Sequence, residues 1–176
     1  TITGQLDLSR LEGPVGQALV ITNSRFEGPV RMDSVTLSQG LDLRGSIFQD
    51  NVSFARSRFL GDAKFSGAHF LKQADFADAY FETPSAFIAT RFSDDCSFSS
   101  AQFNGDAAFL GAVFSGDVDY DDASFIRSGS FRAARFENVR FFETEFSGQV
   151  TFLSALFSGN ATFAATRFQS DVVFRQ

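Results

Sequence analysis

The hydrophobic and polar positions of the chain repeat every eleven residues from Ser24 onward. In fourteen such rows, position 3 is Phe thirteen times and Leu37 once, and position 9 is Phe in eleven rows and Met, Leu or Tyr in the other three. Positions 1 and 7, each two residues before a large side chain, hold almost only small residues, and positions 5 and 6 carry turn formers such as Gly105-Asp106. One row has ten residues, and we place its deletion after Asn138. Such a chain is built from one unit repeated many times.

The spacing within each row predicts short β-strands. A triplet of one small, one variable and one large residue has period two, so its first and third side chains point to one side of an extended segment. Each row therefore supplies two strand-like faces separated by corners. Because an isolated face cannot bury its ring, we expect successive coils to stack about 4.8 Å apart as parallel ladders, with the rings piled in a shared interior.

An eleven-residue period is also compatible with a right-handed helical coiled coil. That alternative conflicts with the composition of the rows. Gly at fixed internal positions would cost a helix about 1 kcal/mol each relative to Ala, and rows of Phe, Ser, Asp and Thr are poor helix formers. The pattern therefore favours strands.

The triplets at Ala101–Phe103, Ala107–Phe109 and Ala155–Phe157 resemble those of the pentapeptide-repeat family, in which a small residue and a central Leu or Phe recur every five residues. The resemblance covers residues 24–176 and implies an all-β fold, a right-handed quadrilateral parallel β-helix (β-solenoid). Because every second unit has six residues here, we expect about 22 residues per coil rather than the family's usual twenty. Fourteen rows then make about seven coils, a rod about 30 to 35 Å long.

We expect one domain, in which residues 1–23 form an irregular N-terminal coil with an inserted loop and residues 24–176 form the repeat β-helix. The stretch SRLEGPV at 9–15 nearly copies SRFEGPV at 24–30, but at an offset of fifteen residues. This offset predicts the extra loop near residues 13–18. The expected core residues of this first coil are Leu6, Leu11 and Ile21.

The repeat pattern continues to the last residues through Val172 and Phe174, without a segment that would cap the stack. We therefore expect either that more chain follows in a parent protein or that this end docks against something, such as a second copy in a homodimer. The chain starts at Thr1 rather than Met, which also suggests a piece of a longer protein.

Composition narrows the classes of function. The single Cys96 excludes an internal disulfide and a cysteine metal cluster, and it is compatible with a reducing compartment, so we expect the cytoplasm. No apolar run approaches the roughly 18 residues of a membrane span. A net charge of −6 argues against direct binding of nucleic acid by phosphate neutralisation.

The acidic residues are concentrated in one stretch. Between Phe92 and Ile126 there are seven Asp and no Lys or Arg, whereas a block of arginines follows from Arg127 to Arg140. The candidate acidic interaction surface consists of Asp94, Asp95, Asp106, Asp117, Asp119, Asp121 and Asp122. These carboxylates are either solvated corner residues that oppose edge-to-edge aggregation or a negative strip that attracts a basic partner.

The family resemblance adds a more specific version of the negative strip. Quinolone-resistance pentapeptide proteins are thought to present charge resembling DNA to a type II topoisomerase. The arginine block interrupts any continuous strip in this chain. Calcium at Asp117, Asp119, Asp121 and Asp122 is a further alternative, although alternating residues of a strand would not all converge on one ion.

A second surface feature depends on the 22-residue coil. Ile88 and Leu110 occupy outward position 10 one coil apart, Arg132 follows at the same spacing, and Leu153 lies one deletion further on. If the coils are in register, Ile88, Leu110 and Leu153 form a candidate apolar stripe. The stripe is either scattered exposed side chains, which are normal, or a partner or dimer surface.

The sequence offers no convergent reactive groups. His69 lies at an outward position with no Ser or Cys nucleophile assignable beside it, and Cys96 occupies an interior position expected to be buried. We expect no catalysis and no cofactor. The leading hypothesis is a scaffold or protein-interaction module within a larger protein, and the alternative is a DNA-mimicking inhibitor of a type II topoisomerase. An enzyme remains a third hypothesis only if a parent chain carries a catalytic domain elsewhere.

Overall fold

The computed structural model describes residues 1–11 and 13–175, which form short parallel strands stacked into a solenoid of eight coils. Each coil contributes to four ladders, and most equivalent residues of neighbouring coils pair 22 residues apart, as Phe81 does with Phe103 and Phe103 with Phe125. The predicted all-β solenoid and its 22-residue coil are confirmed. Within the described residues there is no helix long and apolar enough to cross a membrane.

Four ladders of strands form the four faces of the rod, numbered in chain order. Face 1 contains β3 (Arg25–Phe26), β7 (Ile47–Phe48), β11 (His69–Phe70), β15 (Arg91–Phe92), the first part of β19 (Val113–Asp119), the first part of β22 (Arg135–Arg140) and β25 (Leu156–Phe157). Face 2 contains β1 (Leu6–Asp7), β4 (Val30–Arg31), β8 (Val52–Ser53), β12 (Ala74–Asp75), β16 (Cys96–Ser97), the second parts of β19 and β22, and β26 (Ala161–Thr162).

The other two faces follow the same order. Face 3 contains β5 (Thr36–Leu37), β9 (Arg58–Phe59), β13 (Tyr80–Phe81), β17 (Gln102–Phe103), β20 (Ser124–Phe125), β23 (Glu145–Phe146) and β27 (Arg167–Phe168). Face 4 contains β2 (Leu19–Val20), β6 (Leu41–Asp42), β10 (Ala63–Lys64), β14 (Ser85–Ala86), β18 (Ala107–Ala108), β21 (Gly129–Ser130), β24 (Val150–Thr151) and β28 (Val172–Val173).

The large inward residues form one column behind each face, as the pattern predicts. Along face 3, the ring of Phe103 lies 4.8 Å from that of Phe81 and 4.6 Å from that of Phe125, with interplanar angles of 1° and 11°. The columns of faces 2 and 4 meet edge to face, as Phe98 and Phe109 do at 5.4 Å and 86°. Stacked and edge-to-face rings are both favourable, so the interior is a continuous packed core.

Small polar residues at position 1 are buried without loss of hydrogen bonds. The hydroxyl of Thr90 donates to the carbonyl of Phe65 at 2.9 Å, and that of Thr144 donates to the carbonyl of Tyr120 at 2.8 Å. In both pairs the acceptor belongs to the ring residue at position 9 of the preceding coil. A Ser or Thr can therefore replace Ala in the interior because its hydroxyl finds the same partner at each coil.

The alternation of five- and six-residue units produces two kinds of corner. Corners 2/3 and 4/1 have two residues, and the second has a positive φ, as in Ser100 (57°) and Gly111 (64°). Corners 1/2 and 3/4 have three residues, and glycines there have a different reason. At corner 3/4 a Cβ on Gly61 would lie 2.6 Å from the backbone carbon of Gln39, and one on Gly105 would overlap the backbone of Thr83. These glycines permit close approach of coils.

The deletion lies before Asn138 and not after it. Phe136 pairs with Phe114, and Asn138 pairs with Asp117, so Glu137 alone spans the part of corner 1/2 that two residues span in the preceding coil. Within residues 1–11 and 13–175, β19 and β22 are the two strands that continue from face 1 into face 2, and they lie in the two coils on either side of this deletion. The sequence could not distinguish neighbouring gap positions, because a gap on either side of Asn138 leaves Phe136 at position 3 and Val139 at position 7 of the row.

The N-terminal coil also differs from the prediction in two details. Pairing partners are 24 residues apart at Leu6 and Val30 but 22 apart at Val15 and Leu37, so the two extra residues lie between Leu8 and Val15, an interval that overlaps only the start of the loop predicted near residues 13–18. Leu11 is 52% exposed and lies outside the core, because it follows the turn after face 2. The aliphatic residues that do pack on the core here are Ile2, Leu6, Leu8, Val15, Leu19 and Ile21.

Candidate functional site: the acidic side of the rod

Face 2 and its two corners carry most of the negative charge, and we call this surface the acidic side. Among the described residues it holds fourteen of the 20 acidic residues and five basic ones. The acidic residues are Asp7, Glu27, Asp33, Asp50, Asp75, Asp78, Asp94, Asp95, Asp117, Asp119, Asp121, Asp122, Glu137 and Glu143. The basic residues are Arg10, Arg31, Arg56, Lys72 and Arg140. The 22-residue coil gathers residues that are far apart in the chain onto one side.

Six of the seven aspartates predicted from the sequence lie on the acidic side. Asp94, Asp95 and Asp117 are at corner 1/2, Asp119 points outward from face 2, and Asp121 and Asp122 are at corner 2/3. Asp106 is separated from them, because it lies at the diagonally opposite corner 3/4. There it accepts hydrogen bonds from the backbone N–H and the hydroxyl of Ser128, at 3.2 and 2.7 Å.

A column of acidic and amide side chains runs up corner 1/2. The backbone N–H of Asp117 donates to Oδ1 of Asp95 at 3.0 Å, and Nδ2 of Asn138 donates to Oδ1 of Asp117 at 2.8 Å. The N–H of Asn160 in turn donates to Oδ1 of Asn138 at 2.8 Å. These side chains therefore help to hold the corner together, while Asp95 and Asp117 remain exposed.

Arg140 lies within the acidic side and binds two of its carboxylates. Its Nη2 is 2.5 Å from Oδ2 of Asp119, and its Nε is 2.5 Å from Oδ2 of Asp121. Burial, and the neighbouring charge of Asp119, raise the pKa of Asp121, while the two carboxylates raise the pKa of Arg140. The interruption of the negative strip that we predicted from the arginine block is therefore confined to Arg140 and the two carboxylates that it binds.

The same contacts bear on the calcium alternative. Asp119 and Asp121 both bind Arg140, whereas Asp117 accepts a hydrogen bond from Asn138, so these three carboxylates are not directed to one position. Across residues 1–11 and 13–175, no three or more His, Cys, Asp or Glu side chains are grouped as metal ligands. The geometry gives no common position for an ion.

A long depression lies along face 2. One cavity of about 690 Å³ is lined by residues of corner 1/2 and face 2, among them Asp95, Asp117, Asp119 and Arg140. A second cavity of about 380 Å³ continues toward the N-terminal coils and shares Gln73 and Asp75 with the first. We call these two cavities the face-2 groove, and its lining combines charged side chains of both signs with polar and apolar residues.

Phe142 is an exposed aromatic residue on the acidic side that the sequence analysis missed. Its side chain is 40% exposed at corner 2/3, and its backbone N–H donates to Oδ1 of Asp121 at 3.1 Å. Of the 25 Phe residues, it is the one outside inward positions 3 and 9. The signal was the doublet Phe141-Phe142, since two adjacent residues of a strand or corner cannot both point inward.

The predicted apolar stripe is aligned at corner 4/1. The N–H of Ala89 bonds to the carbonyl of Leu110, and that of Ala133 bonds to the carbonyl of Leu153, both at 2.8 Å. Ile88 is 38% exposed, Leu110 is 39% exposed and Leu153 is partly exposed. The exposed Arg132 lies between Leu110 and Leu153, so the stripe has mixed apolar and basic character.

The two residues considered for catalysis have different environments. Cys96 is buried, as expected, and this burial raises the pKa of its thiol well above its usual value, which disfavours the reactive thiolate. His69 does have a serine beside it, contrary to the sequence analysis, because Nε2 of His69 lies 2.8 Å from Oγ of Ser93 in the next coil. Burial and then Arg91 lower the pKa of His69. Among the described residues no carboxylate bonds to this imidazole, so the pair lacks the orienting group of a triad.

Comparison with known proteins agrees with the repeat. A family model described as "Pentapeptide repeats (9 copies)" matches residues 21–69 and 65–112, which together are more than half of the chain. No curated protein matches in sequence.

Two solved structures are similar over most of their length. One is trypsin-treated QnrB1, described as a plasmid-mediated fluoroquinolone resistance protein, at 15% identity and a TM-score of 0.29, covering 95% of this chain and 91% of that one. The other is full-length QnrB1, at 10% identity and a TM-score of 0.27, covering 94% of this chain and 93% of that one.

Proposed function

The chain belongs to the pentapeptide-repeat family, and from this premise we propose that it is a non-catalytic protein-binding rod whose acidic side binds a basic surface of a partner protein. The observation that carries the proposal is the concentration of fourteen acidic residues against five basic ones on that side. A surface with one predominant sign of charge attracts and orients partners of the opposite sign.

The face-2 groove and Phe142 add specificity to the charge. An interface of charges alone is largely screened at physiological salt, whereas an exposed aromatic ring surrounded by polar groups can anchor a partner. Phe142 has this setting, because it is flanked by Asp121 and Glu143 and its ring is 40% exposed. We expect a partner segment that combines Arg or Lys with an apolar residue.

The test uses a nona-arginine peptide as the probe and fluorescence anisotropy as the measurement. The variant Asp94→Asn, Asp95→Asn, Asp117→Asn removes three charges from corner 1/2 while its amides can still accept the hydrogen bonds that Asp94, Asp95 and Asp117 accept. We expect the dissociation constant to rise about tenfold at low salt, since each exposed ion pair contributes about 0.5 kcal/mol.

A matched control removes the same three charges elsewhere. The variant Asp62→Asn, Asp106→Asn, Asp171→Asn changes corner 3/4, so its net charge equals that of the first variant. Equal weakening by both variants would show attraction to net charge alone and would overturn the proposal. Phe142→Ala, which changes no charge, should also weaken binding of the peptide, because an arginine side chain can pack on the exposed ring.

A second candidate function is inhibition of a type II topoisomerase by mimicry of DNA. The spacing of carboxylates favours it: fourteen along eight coils of about 4.8 Å is one per roughly 2.7 Å, compared with one phosphate per about 1.7 Å of duplex DNA. Arg140 and the other four basic residues reduce this density. The test is a gyrase supercoiling assay with the wild type and with Asp117, Asp121 and Asp122 changed to Asn. Absence of inhibition by the wild type would remove this candidate.

A further inference from the structure

Face 1 and corner 4/1 form a surface with the opposite charge, which we call the arginine side. Its outward positions carry six arginines and, among the described residues, no Asp or Glu. The arginines are Arg25, Arg44, Arg91, Arg132, Arg135 and Arg175. Arg44 binds Asp42 of face 4 at 2.7 Å, whereas Arg25, Arg91, Arg132 and Arg135 are exposed and form no ion pair within the described part of the chain.

Aliphatic side chains separate these arginines. The candidate stripe of Ile88, Leu110 and Leu153 lies at corner 4/1, and Ile47, Val113 and Leu156 point outward from face 1 beside it. Leu156 is 49% exposed. Arginine mixed with exposed aliphatic groups is typical of a protein interface. The aliphatic groups and the arginine stems can pack on apolar side chains of a partner, while the guanidinium groups contact its polar or charged groups.

The complementary surface is present on the molecule itself. The acidic side lies directly next to the arginine side around the rod, and both sides extend along the same coils. We propose that the arginine side of one copy docks on the acidic side of a second copy, so that rods associate side by side. This inference rests on the proposed function and names the basic surface that the acidic side binds.

The repeat gives the contact its register. Both surfaces have the same coil spacing of about 4.8 Å, so a contact made at one coil recurs at the next when two rods lie parallel. Arg91 and Arg135 are two coils apart on face 1, and Asp95 and Asp117 are one coil apart at corner 1/2. The contact joins different surfaces of the two copies, so in a pair one copy keeps a free acidic side and the other keeps a free arginine side, to which further copies can add.

The experiment measures association by sedimentation velocity at about 0.05 M and about 0.5 M salt, where charge screening differs strongly. We expect the wild type to associate at low salt and to dissociate at high salt. Arg91→Glu with Arg135→Glu should weaken association at least tenfold. The control Arg127→Glu with Arg167→Glu makes the same charge change at corner 3/4 and face 3 and should associate like the wild type.

A mixing experiment tests the pairing of the two surfaces directly. The Arg91→Glu, Arg135→Glu variant keeps its acidic side, and the Asp94→Asn, Asp95→Asn, Asp117→Asn variant keeps its arginine side. Each alone should be monomeric, and an equimolar mixture should form a complex of one copy of each and no larger species. Circular dichroism of each variant verifies that it is folded.

Three results would overturn the inference: a wild type that is monomeric at low salt, a mixture that forms no complex, or a control that loses association to the same degree. The nona-arginine measurement separates this failure from failure of the proposed function. If the acidic side binds the peptide but the wild type remains monomeric, the partner is another basic protein and only the inference of self-association falls.

Discussion

Inward and outward residues of the same two-residue strands differ in how strictly they repeat. Behind face 3 the inward column contains one Leu and six Phe, whereas the outward column contains seven residues of six types, with both charges, an aromatic ring and an amide among them. An inward side chain must fit the ring above and the ring below, so its size and shape are constrained at every coil. An outward side chain contacts mainly solvent. The interior therefore defines the fold, and the exterior is free to carry binding surfaces.

The largest test of this difference is the truncation of one ring. Phe103 is fully buried between Phe81 and Phe125, so Phe103→Ala should leave a cavity and lower the free energy of unfolding by about 3 to 5 kcal/mol. Gln102→Ala, at the adjacent outward position, should change it by no more than about 0.5 kcal/mol. Urea denaturation measures both. Similar losses at the two positions would contradict the assignment of inside and outside.

The second test concerns the corners, whose residues belong neither to the inward nor to the outward columns of the strands. A Cβ at Gly105 would overlap the backbone of Thr83, and backbone cannot move aside as a flexible side chain can. Gly105→Ala should therefore cost about 1 to 3 kcal/mol in chemical denaturation.

Gly111→Ala is the control for that substitution. Gly111 has a φ of 64° but open space around it, and Ala89 and Ala133 adopt 53° and 54° at the same place in the coils on either side. Its cost should be about 1 kcal/mol or less. If Gly111→Ala proved the more damaging of the two, positive φ rather than close approach would explain the corner glycines.

The difference between inward and outward residues also explains how far the structure could be predicted from the sequence. The ring columns were predictable because the Phe residues that define the repeat are the same residues that are buried in the core. The near-copy SRLEGPV was misleading: Phe26 is buried on face 1, whereas Leu11 is 52% exposed, because a short likeness does not determine which ladder a segment joins. The pairing of Arg140 with Asp119 and Asp121 depends on side-chain conformation at the deletion, which no periodicity encodes.

A third test uses Tyr120, the one residue among the large inward side chains that carries a hydroxyl group. Tyr120 replaces Phe in the column behind face 2, and its hydroxyl is buried without a hydrogen-bond partner among the described residues. Burying an unpaired hydroxyl is unfavourable, so Tyr120→Phe should raise the free energy of unfolding by about 1 kcal/mol. Phe98→Tyr, one coil away in the same column, should lower it. A loss of stability in Tyr120→Phe would show that the hydroxyl has a partner.

The smallest expected effect on the free energy of unfolding is that of removing an outward charge. Burial raises the pKa of Asp121, so the folded state binds the carboxyl proton of Asp121 more tightly than the unfolded state does. This tighter binding stabilises the folded state fully below the unfolded pKa of about 3.9, and the stabilisation is lost as the pH rises through the higher folded pKa. Asp121→Asn should remove this part of the pH dependence. At neutral pH it should change the free energy of unfolding by no more than about 0.5 kcal/mol, because the lost contact with Arg140 offsets the lost repulsion from Asp119.

Denaturation at a series of pH values from below pH 4 to pH 7 measures the effect. The control is Asp122→Asn, at the exposed neighbouring residue. Since Asp121→Asn also removes one of the carboxylates that hold Arg140, a large loss at neutral pH would mean that this arginine pair, and not the ring columns alone, stabilises the coils at the deletion.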